Sequence, residues 1–225
     1  ASISETVYDA TCPLVTKVHK EVARRQKQNH QVILIGHSGH PEVEGTLGQS
    51  NDSKKITLIE SISDIDELNF SDSIDISYTT QTTLSVDDTK QIVDTLKTKF
   101  PQIQAPKKSD ICYATQNRQD AVKVVIKNSE ILLVMGSKNS SNSNRLREIA
   151  ENNNKPAYLI DSASDIDIDW LRGITSVGVT AGASAPEILV QEVVDYLLEN
   201  GADEIIEVSG ANESVHFPVP ATLRV

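Results

Sequence analysis

An apolar run that ends in glycine, Val32-Ile33-Leu34-Ile35-Gly36, returns one hundred residues later as Ile131-Leu132-Leu133-Val134-Met135-Gly136. A cysteine precedes each of these glycines by 24 residues, Cys12 in the first copy and Cys112 in the second. Short apolar runs of this length are typical of buried strands. Recurrence at a fixed period indicates a structural module that occurs more than once.

Two further pairs of segments support the repeat at an offset of 101 residues. Residues 61–66 read Ser-Ile-Ser-Asp-Ile-Asp and residues 162–167 read Ser-Ala-Ser-Asp-Ile-Asp, while residues 92–96 correspond to residues 193–197. Each copy reads as cysteine, helix, strand, polar loop, helix, strand, short helix, strand, polar loop and helix. This alternation predicts an α/β fold with two quasi-equivalent modules, each a parallel sheet covered by helices.

The predicted organisation has four parts. An opening segment covers residues 1–12, the first α/β module covers 13–108, the second covers 109–200, and a C-terminal strand and tail cover 201–225. The chain opens on Ala1, and its only methionine, Met135, lies inside a predicted strand. We therefore expect that part of the protein precedes residue 1.

Composition excludes several classes of protein. The net charge of −11 is spread along 225 residues without a basic stripe, which argues against nucleic-acid binding. No apolar run approaches the roughly 18 residues that a membrane span requires. Two cysteines are too few for a secreted disulfide framework and indicate a reducing compartment.

Four polar loops follow predicted strands. They cover residues 36–42, 79–83, 136–144 and 180–186, and consist largely of hydroxyl, amide and glycine residues. In open α/β sheets, ligands bind at the carboxyl ends of strands, beside helix N-termini. The loops therefore fit a shared phosphate pocket, although Ser, Thr and Asn in such places also serve as ordinary helix caps.

Candidate chemical groups lie in the first loop and at the start of each module. His37, His40 and Glu42 could ligate a metal, transfer protons, or bond to the local backbone. Glu42 fits an acid if its surroundings raise its pKa. The matching places of Cys12 and Cys112 fit two ligands of a shared centre or an incidental pair. Two thiolates are incomplete for an iron–sulfur cluster, so a third copy of the module would supply the missing ligand.

Six stretches together closely resemble the LytB/IspH family, and the resemblance covers nearly the whole chain. They are residues 9–19, 35–46, 81–86, 110–115, 136–145 and 178–186. Members of this family reduce 4-hydroxy-3-methylbut-2-enyl diphosphate to isopentenyl and dimethylallyl diphosphate, in the methylerythritol phosphate pathway of isoprenoid synthesis. The resemblance implies a pseudo-threefold fold of three modules, of which this chain carries the second and third.

The resemblance also implies a 4Fe–4S cluster held by three cysteines, two of which match Cys12 and Cys112. Glu42 matches the proton donor. The residues that match substrate-binding positions are His40, Thr82, Ser140, Ser141, Asn142 and Ser184. The implied electron donor is ferredoxin or flavodoxin, and the implied location is the bacterial cytoplasm or the plastid stroma.

The chain departs from the family pattern because it lacks the first module and the first cysteine. We therefore expect these 225 residues to be an inactive fragment of a reductase. The alternative is a module that binds a diphosphate without redox chemistry. A Rossmann-type nucleotide enzyme is disfavoured because no Gly-x-Gly-x-x-Gly motif opens a helix after a strand.

Overall fold

The computed structural model describes Asp9 and residues 11–71 and 73–217. Within this part, the chain forms two compact units, each of them an α/β module. The first contains the residues through Thr82 together with Thr89–Asp110, and the second contains Thr83–Asp88 and Ile111–Ser214. The α/β fold with two parallel sheets, predicted from the repeat, is confirmed.

The first unit is built around a three-stranded parallel sheet in the order β2-β1-β3. Its strands are β1 (Gln31–Ile35), β2 (Ile56–Ile59) and β3 (Ile76–Thr80). The central strand β1 is buried along its whole length, because helices cover both faces of a parallel sheet. The helices that accompany the sheet are α1 (Pro13–Lys27), α2 (Pro41–Leu47), α3 (Ile62–Asp66) and α4 (Val86–Lys99).

The second unit repeats this plan in the strand order β5-β4-β6. Its strands are β4 (Ile131–Met135), β5 (Ala157–Ile160) and β6 (Val177–Ala181). The central strand β4 is again buried throughout. The helices of this unit are α5 (Tyr113–Val125), α6 (Ser141–Asn152) and α7 (Glu187–Glu199).

The repeat extends to single hydrogen bonds. Asp64 accepts from the backbone N–H of Ser61 in the first unit, and Asp165 accepts from the N–H of Ser162 in the second. Both pairs form capping boxes. The short helix expected in the second module is instead two turns of 3-10 helix, Ala163–Asp165 and Ile168–Leu171. Asp167 caps the second of these turns, because its side chain accepts from Asp169 N.

The strand predicted within residues 201–225 is not found in residues 202–217, which contain neither helix nor strand. The apolar residues that suggested it include Ile205 and Ile206, which are 59% and 75% exposed. A strand needs a neighbour for its backbone hydrogen bonds, and none of the described strands pairs with this segment. Residues 218–225, with Pro218 and Pro220, lie outside the described residues.

All four predicted polar loops lie at carboxyl ends of strands and lead into helices. They connect β1 to α2, β3 to α4, β4 to α6, and β6 to α7. None of the described helices is long and apolar enough to cross a membrane.

Candidate functional site

The two cysteines occupy matching positions, each immediately before a helix. Cys12 precedes α1 and is exposed, whereas Cys112 precedes α5 and is half-buried. Both thiols are free, and neither caps its helix with a side-chain hydrogen bond. The two sulfurs therefore lie at the N-terminal ends of helices, where the partial positive charge of the helix dipole is concentrated.

The described residues do not form a complete metal site. Nowhere among Asp9, 11–71 and 73–217 do three or more His, Cys, Asp or Glu side chains form a group that could hold a metal ion. Cys12 and Cys112 have the donor chemistry of iron–sulfur ligands, but they are the only two cysteines in the sequence. The chain thus fits two ligands of such a cluster and does not complete one.

His40, Glu42 and Thr82 come together at the ends of β1 and β3. His40 caps α2, and its Nδ1 accepts a hydrogen bond of 3.1 Å from the backbone N–H of Glu42. The Glu42 carboxyl is bound at both oxygens by Thr82, whose N–H donates at 2.7 Å and whose hydroxyl donates at 2.9 Å. Strands β1 and β3 are neighbours in the sheet. Glu42 and Thr82 therefore come within hydrogen-bond distance although 40 positions separate them in the sequence.

The surroundings shift the pKa of both titratable groups of this cluster, Glu42 and His40. Burial raises the pKa of Glu42, the hydrogen bonds from Thr82 partly oppose that rise, and the charge of Asp110 adds to it. Burial lowers the pKa of His40, and the neighbouring His37 lowers it further. A neutral His40 that accepts at Nδ1 carries its proton on Nε2. The first unit therefore places a carboxyl with a raised pKa beside a histidine with a lowered pKa.

Asp110 is a buried carboxylate that the sequence did not single out as functional. Its side chain has no exposed surface and pairs with Lys17 Nζ at 3.0 Å. Its second oxygen accepts from Thr79 Oγ1 at 2.8 Å and from the backbone N–H of Thr80 at 3.2 Å. Asp110 therefore anchors the end of β3, two residues before Thr82. No local signal predicts it, because Lys17 is 93 positions away in the sequence.

In the second unit, the loop after β4 gathers predicted diphosphate-binding residues. Ser140 caps α6, and its hydroxyl accepts from the N–H of Ser143 at 3.3 Å. Ser141 accepts a hydrogen bond of 3.0 Å from the hydroxyl of Thr83. Thr83 was not among the predicted site residues, although the run of threonines at the end of β3 could have indicated it.

Asn142 differs from the serines beside it because its amide is buried without a partner. The residue is 6% exposed, and neither its Nδ2 nor its Oδ1 has a hydrogen-bond partner within the described part of the chain. A buried amide left unpaired costs about 1–3 kcal/mol, so such groups in native proteins usually bind a ligand or water. Asn142 is therefore the residue of the second unit that is best suited to bind a ligand.

The loop after β6 lies against this amide. A Cβ atom added to Gly182 would lie 3.5 Å from Asn142 Nδ2 and 2.2 Å from Ser143 Oγ. Only glycine permits so close an approach of the two loops. Ser184 follows two residues later, exposed in the turn that leads into α7. The second unit thus brings Ser140, Asn142 and the turn of Ser184 to one end of its sheet.

The other histidines have structural surroundings. His37 lies 3.5 Å from Glu60 through Nδ1, and its N–H donates to Gln81 at 3.0 Å. His30 is buried between α1 and β1, and His216 is exposed in the C-terminal segment. His19 lies on α1 against Gly45, where burial lowers its pKa.

The structure defines an α/β protein with polar loops at the carboxyl ends of parallel strands, the place where such folds bind small ligands. Comparison with known proteins makes this specific. Residues 1–198 match the family described as LytB protein, and the chain belongs to that family.

Curated relatives carry the same name across different bacteria. The 4-hydroxy-3-methylbut-2-enyl diphosphate reductase of Ruthia magnifica subsp. Calyptogena magnifica is 67% identical over 222 residues, which cover 99% of this chain and 72% of that protein. The reductase of the same name from Psychrobacter arcticus is 57% identical, over 98% of this chain and 70% of that protein. The family is one of oxidoreductases that act in isoprenoid synthesis.

A solved structure agrees with the fold. The E-1-hydroxy-2-methyl-but-2-enyl-4-diphosphate reductase from Plasmodium falciparum superposes with a TM-score of 0.81 at 40% identity. The match covers 84% of this chain and 59% of that one. The chain therefore spans less than two thirds of the length of this solved relative.

Proposed function

We propose that this chain takes part in the reductive dehydroxylation of 4-hydroxy-3-methylbut-2-enyl diphosphate to isopentenyl and dimethylallyl diphosphate, the last step of the methylerythritol phosphate pathway. The observation that carries the proposal is the carboxyl of Glu42, held at both oxygens by Thr82 and with a raised pKa. The names of the relatives supply the substrate class.

In this proposal, Glu42 is the proton donor. Replacement of the allylic hydroxyl by hydrogen consumes two electrons and two protons: one proton leaves with the hydroxyl as water, and the other adds to carbon. A carboxyl whose pKa is raised by burial suits this role better than an ordinary exposed glutamate. Thr82 orients the carboxyl, and His40 Nε2 is available to donate a hydrogen bond to the substrate.

The second unit would hold the diphosphate. Ser140, Ser141, Asn142 and Ser184 offer neutral donors, and the N-termini of α6 and α7 add the partial positive charge of helix dipoles. The unpaired amide of Asn142 supports this assignment, because a phosphate oxygen would satisfy its N–H donors. These uncharged donors would position the diphosphate but would leave part of its negative charge uncompensated.

Cys12 and Cys112 would serve as two of the three thiolate ligands of a 4Fe–4S cluster. Such a cluster, when bound, supplies the electrons of the reduction one at a time. The electrons would come from ferredoxin or flavodoxin, in the bacterial cytoplasm or the plastid stroma. A third cysteine is not among these 225 residues, so the chain as it stands would not be an active reductase.

Anaerobic reconstitution of the full-length protein tests the proposal. We expect a broad visible absorbance from thiolate-bound iron, which Cys12→Ser or Cys112→Ser should each diminish. Glu42→Gln should keep this absorbance but lower turnover by about a hundredfold or more, the usual scale for a positioned acid. Glu44→Gln, an exposed change on the same helix, is the matched control. Wild-type turnover by Glu42→Gln would show that another group delivers the proton.

A second candidate is diphosphate binding without redox chemistry. It is favoured by the unpaired amide of Asn142, combined with the incomplete ligand set within the described residues. Calorimetric titration of the 225-residue chain with the allylic diphosphate is the test. Binding that Asn142→Leu abolishes supports this function for the chain, and an absence of measurable heat at millimolar ligand excludes it.

A further inference from the structure

Helix α1 carries a stripe of positive charge on its outer face. At 100° per residue, Lys17, Lys20, Arg24 and Lys27 fall within about 80° of one another, and we call these four residues the basic stripe. The opposite face of the helix packs into the unit through Val18 and Val22. The sequence shows no basic run because the stripe becomes continuous only when the chain turns into a helix.

A neighbouring segment adds to the positive charge. Residues 104–110 lie beside α1, since Arg25 bonds to Gln104 and to the carbonyl of Ala105, while Lys17 Nζ bonds to the carbonyl of Lys108 at 3.0 Å. This segment carries two exposed lysines, Lys107 and Lys108.

Few acids offset these charges. Lys17 pairs with the buried Asp110 at 3.0 Å, and Glu21, the only acidic residue of α1, is bound by both Arg24 and Arg25. Within the described part of the chain, Lys20 and Lys27 have no carboxylate within ion-pair distance, and both are exposed. The stripe therefore stays positive on a chain whose net charge is −11.

The stripe begins close to one of the two thiols. Cys12 immediately precedes α1. At about 1.5 Å per residue, Lys17 lies roughly 8 Å and Lys27 roughly 23 Å from it along the helix axis. A macromolecule bound along the stripe would thus cover the end of the helix that carries an exposed sulfur.

We propose that the basic stripe of α1 is the docking surface for an acidic one-electron carrier protein. The inference rests on the proposed reductase function, which consumes two electrons per substrate. Two carriers in succession would each be oxidised by one electron. Complementary charge accelerates protein association and suppresses wrong partners, so a positive patch on a strongly acidic protein selects an acidic carrier.

The test uses the full-length, cluster-loaded protein and reverses two charges of the stripe, Lys20→Glu with Lys27→Glu. The matched control is Lys90→Glu with Lys97→Glu, which makes the same charge change at the same seven-residue spacing on α4 of the same unit. Turnover is measured with reduced flavodoxin and, separately, with dithionite as a small reductant. Binding of oxidised flavodoxin is measured by calorimetry without substrate.

We expect the stripe variant to raise the flavodoxin Kd and KM by about tenfold or more at low salt, with the difference shrinking as salt screens the charges. Its dithionite turnover should match that of the wild type and of the control, which separates this proposal from the reductase function itself. Unchanged flavodoxin binding would overturn the proposal. A raised KM for the diphosphate under dithionite would also overturn it, because the stripe would then act on the substrate.

Discussion

Replacing Asp110 by asparagine changes one atom of the first unit and removes a buried negative charge. The carboxylate has no exposed surface, and its two oxygens have separate partners. One oxygen faces Lys17 Nζ at 3.0 Å, and the other accepts from Thr79 Oγ1 and Thr80 N–H. An asparagine in the same place keeps its oxygen for the two threonines, so its amide nitrogen must face the ammonium of Lys17.

The expected cost follows from these contacts. The change removes one hydrogen bond between charged groups, worth about 1.5–3 kcal/mol, and sets two donors against each other. Loss of one partner from a fully buried ion pair costs about 3–5 kcal/mol. The Lys17 side chain is 39% exposed and keeps the carbonyls of Lys108 and Ser109, so the cost lies below that range. We expect about 2 kcal/mol, which lowers the Tm of a protein of this size by about 4–8 °C.

Thermal unfolding followed by circular dichroism checks this value. Asp87→Asn is the matched control, because Asp87 pairs with Lys123 at 2.7 Å but its side chain is 63% exposed. Such surface pairs contribute about 0–1 kcal/mol, so the control should shift the Tm by no more than about 4 °C. Equal shifts for the two variants, or an unchanged Tm for Asp110→Asn, would refute the reasoning that burial gives the Asp110 pair its weight.

Two further changes probe the loops. Thr82→Val removes the hydroxyl that stabilises the ionised carboxylate of Glu42, so the pKa of Glu42 should rise further. The alkaline limb of kcat/KM, where the proton donor becomes ionised, should therefore move to higher pH, and a shift to lower pH would contradict this assignment of the acid. Gly136→Ala would bring a Cβ atom to 2.2 Å from Ser143 Oγ, so it should destabilise the second unit by about 1–3 kcal/mol and weaken diphosphate binding. Gly210→Ala, which meets no atom within 4 Å, should be silent, and equal effects of the two alanines would rule out the steric explanation.

The sequence predicted the sheets and the loops because their signals are local. Apolar runs of strand length gave the central strands β1 and β4, and both are buried throughout. The offset of 101 residues predicted that the two units share a plan, which the matching capping boxes of Asp64 and Asp165 confirm. Polar residues after parallel strands were expected at one edge of each sheet, and the contact between Glu42 and Thr82 follows from that rule.

Features that depend on distant or helical neighbours escaped prediction. Asp110 reads as an ordinary polar residue before a cysteine, because nothing near it reveals the pairing with Lys17. The basic stripe was missed because its members are spaced three and four positions apart, with other residue types between them. The prediction of a strand around Ile205 and Ile206 was wrong because the local signal was present but none of the described strands pairs with the segment. A β-prone run predicts a strand only where a partner strand exists, and the sequence does not say whether one does.

The two units place different side chains at equivalent positions of one scaffold. The N–H of His40 bonds to the carbonyl of His37 in the first unit, and that of Ser140 bonds to the carbonyl of Ser137 in the second, so Glu42 and Asn142 hold equivalent places.

The loop that faces each of these residues is equivalent as well. Gln81 N–H bonds to the end of β1, and Gly182 N–H bonds to the end of β4, which makes Thr82 the counterpart of Ala183. Thr82 has a hydroxyl and satisfies Glu42, whereas Ala183 has none, and the amide of Asn142 is left unpaired. The same geometry therefore satisfies a buried carboxyl in the first unit and leaves a buried amide without a partner in the second, where a ligand can complete it.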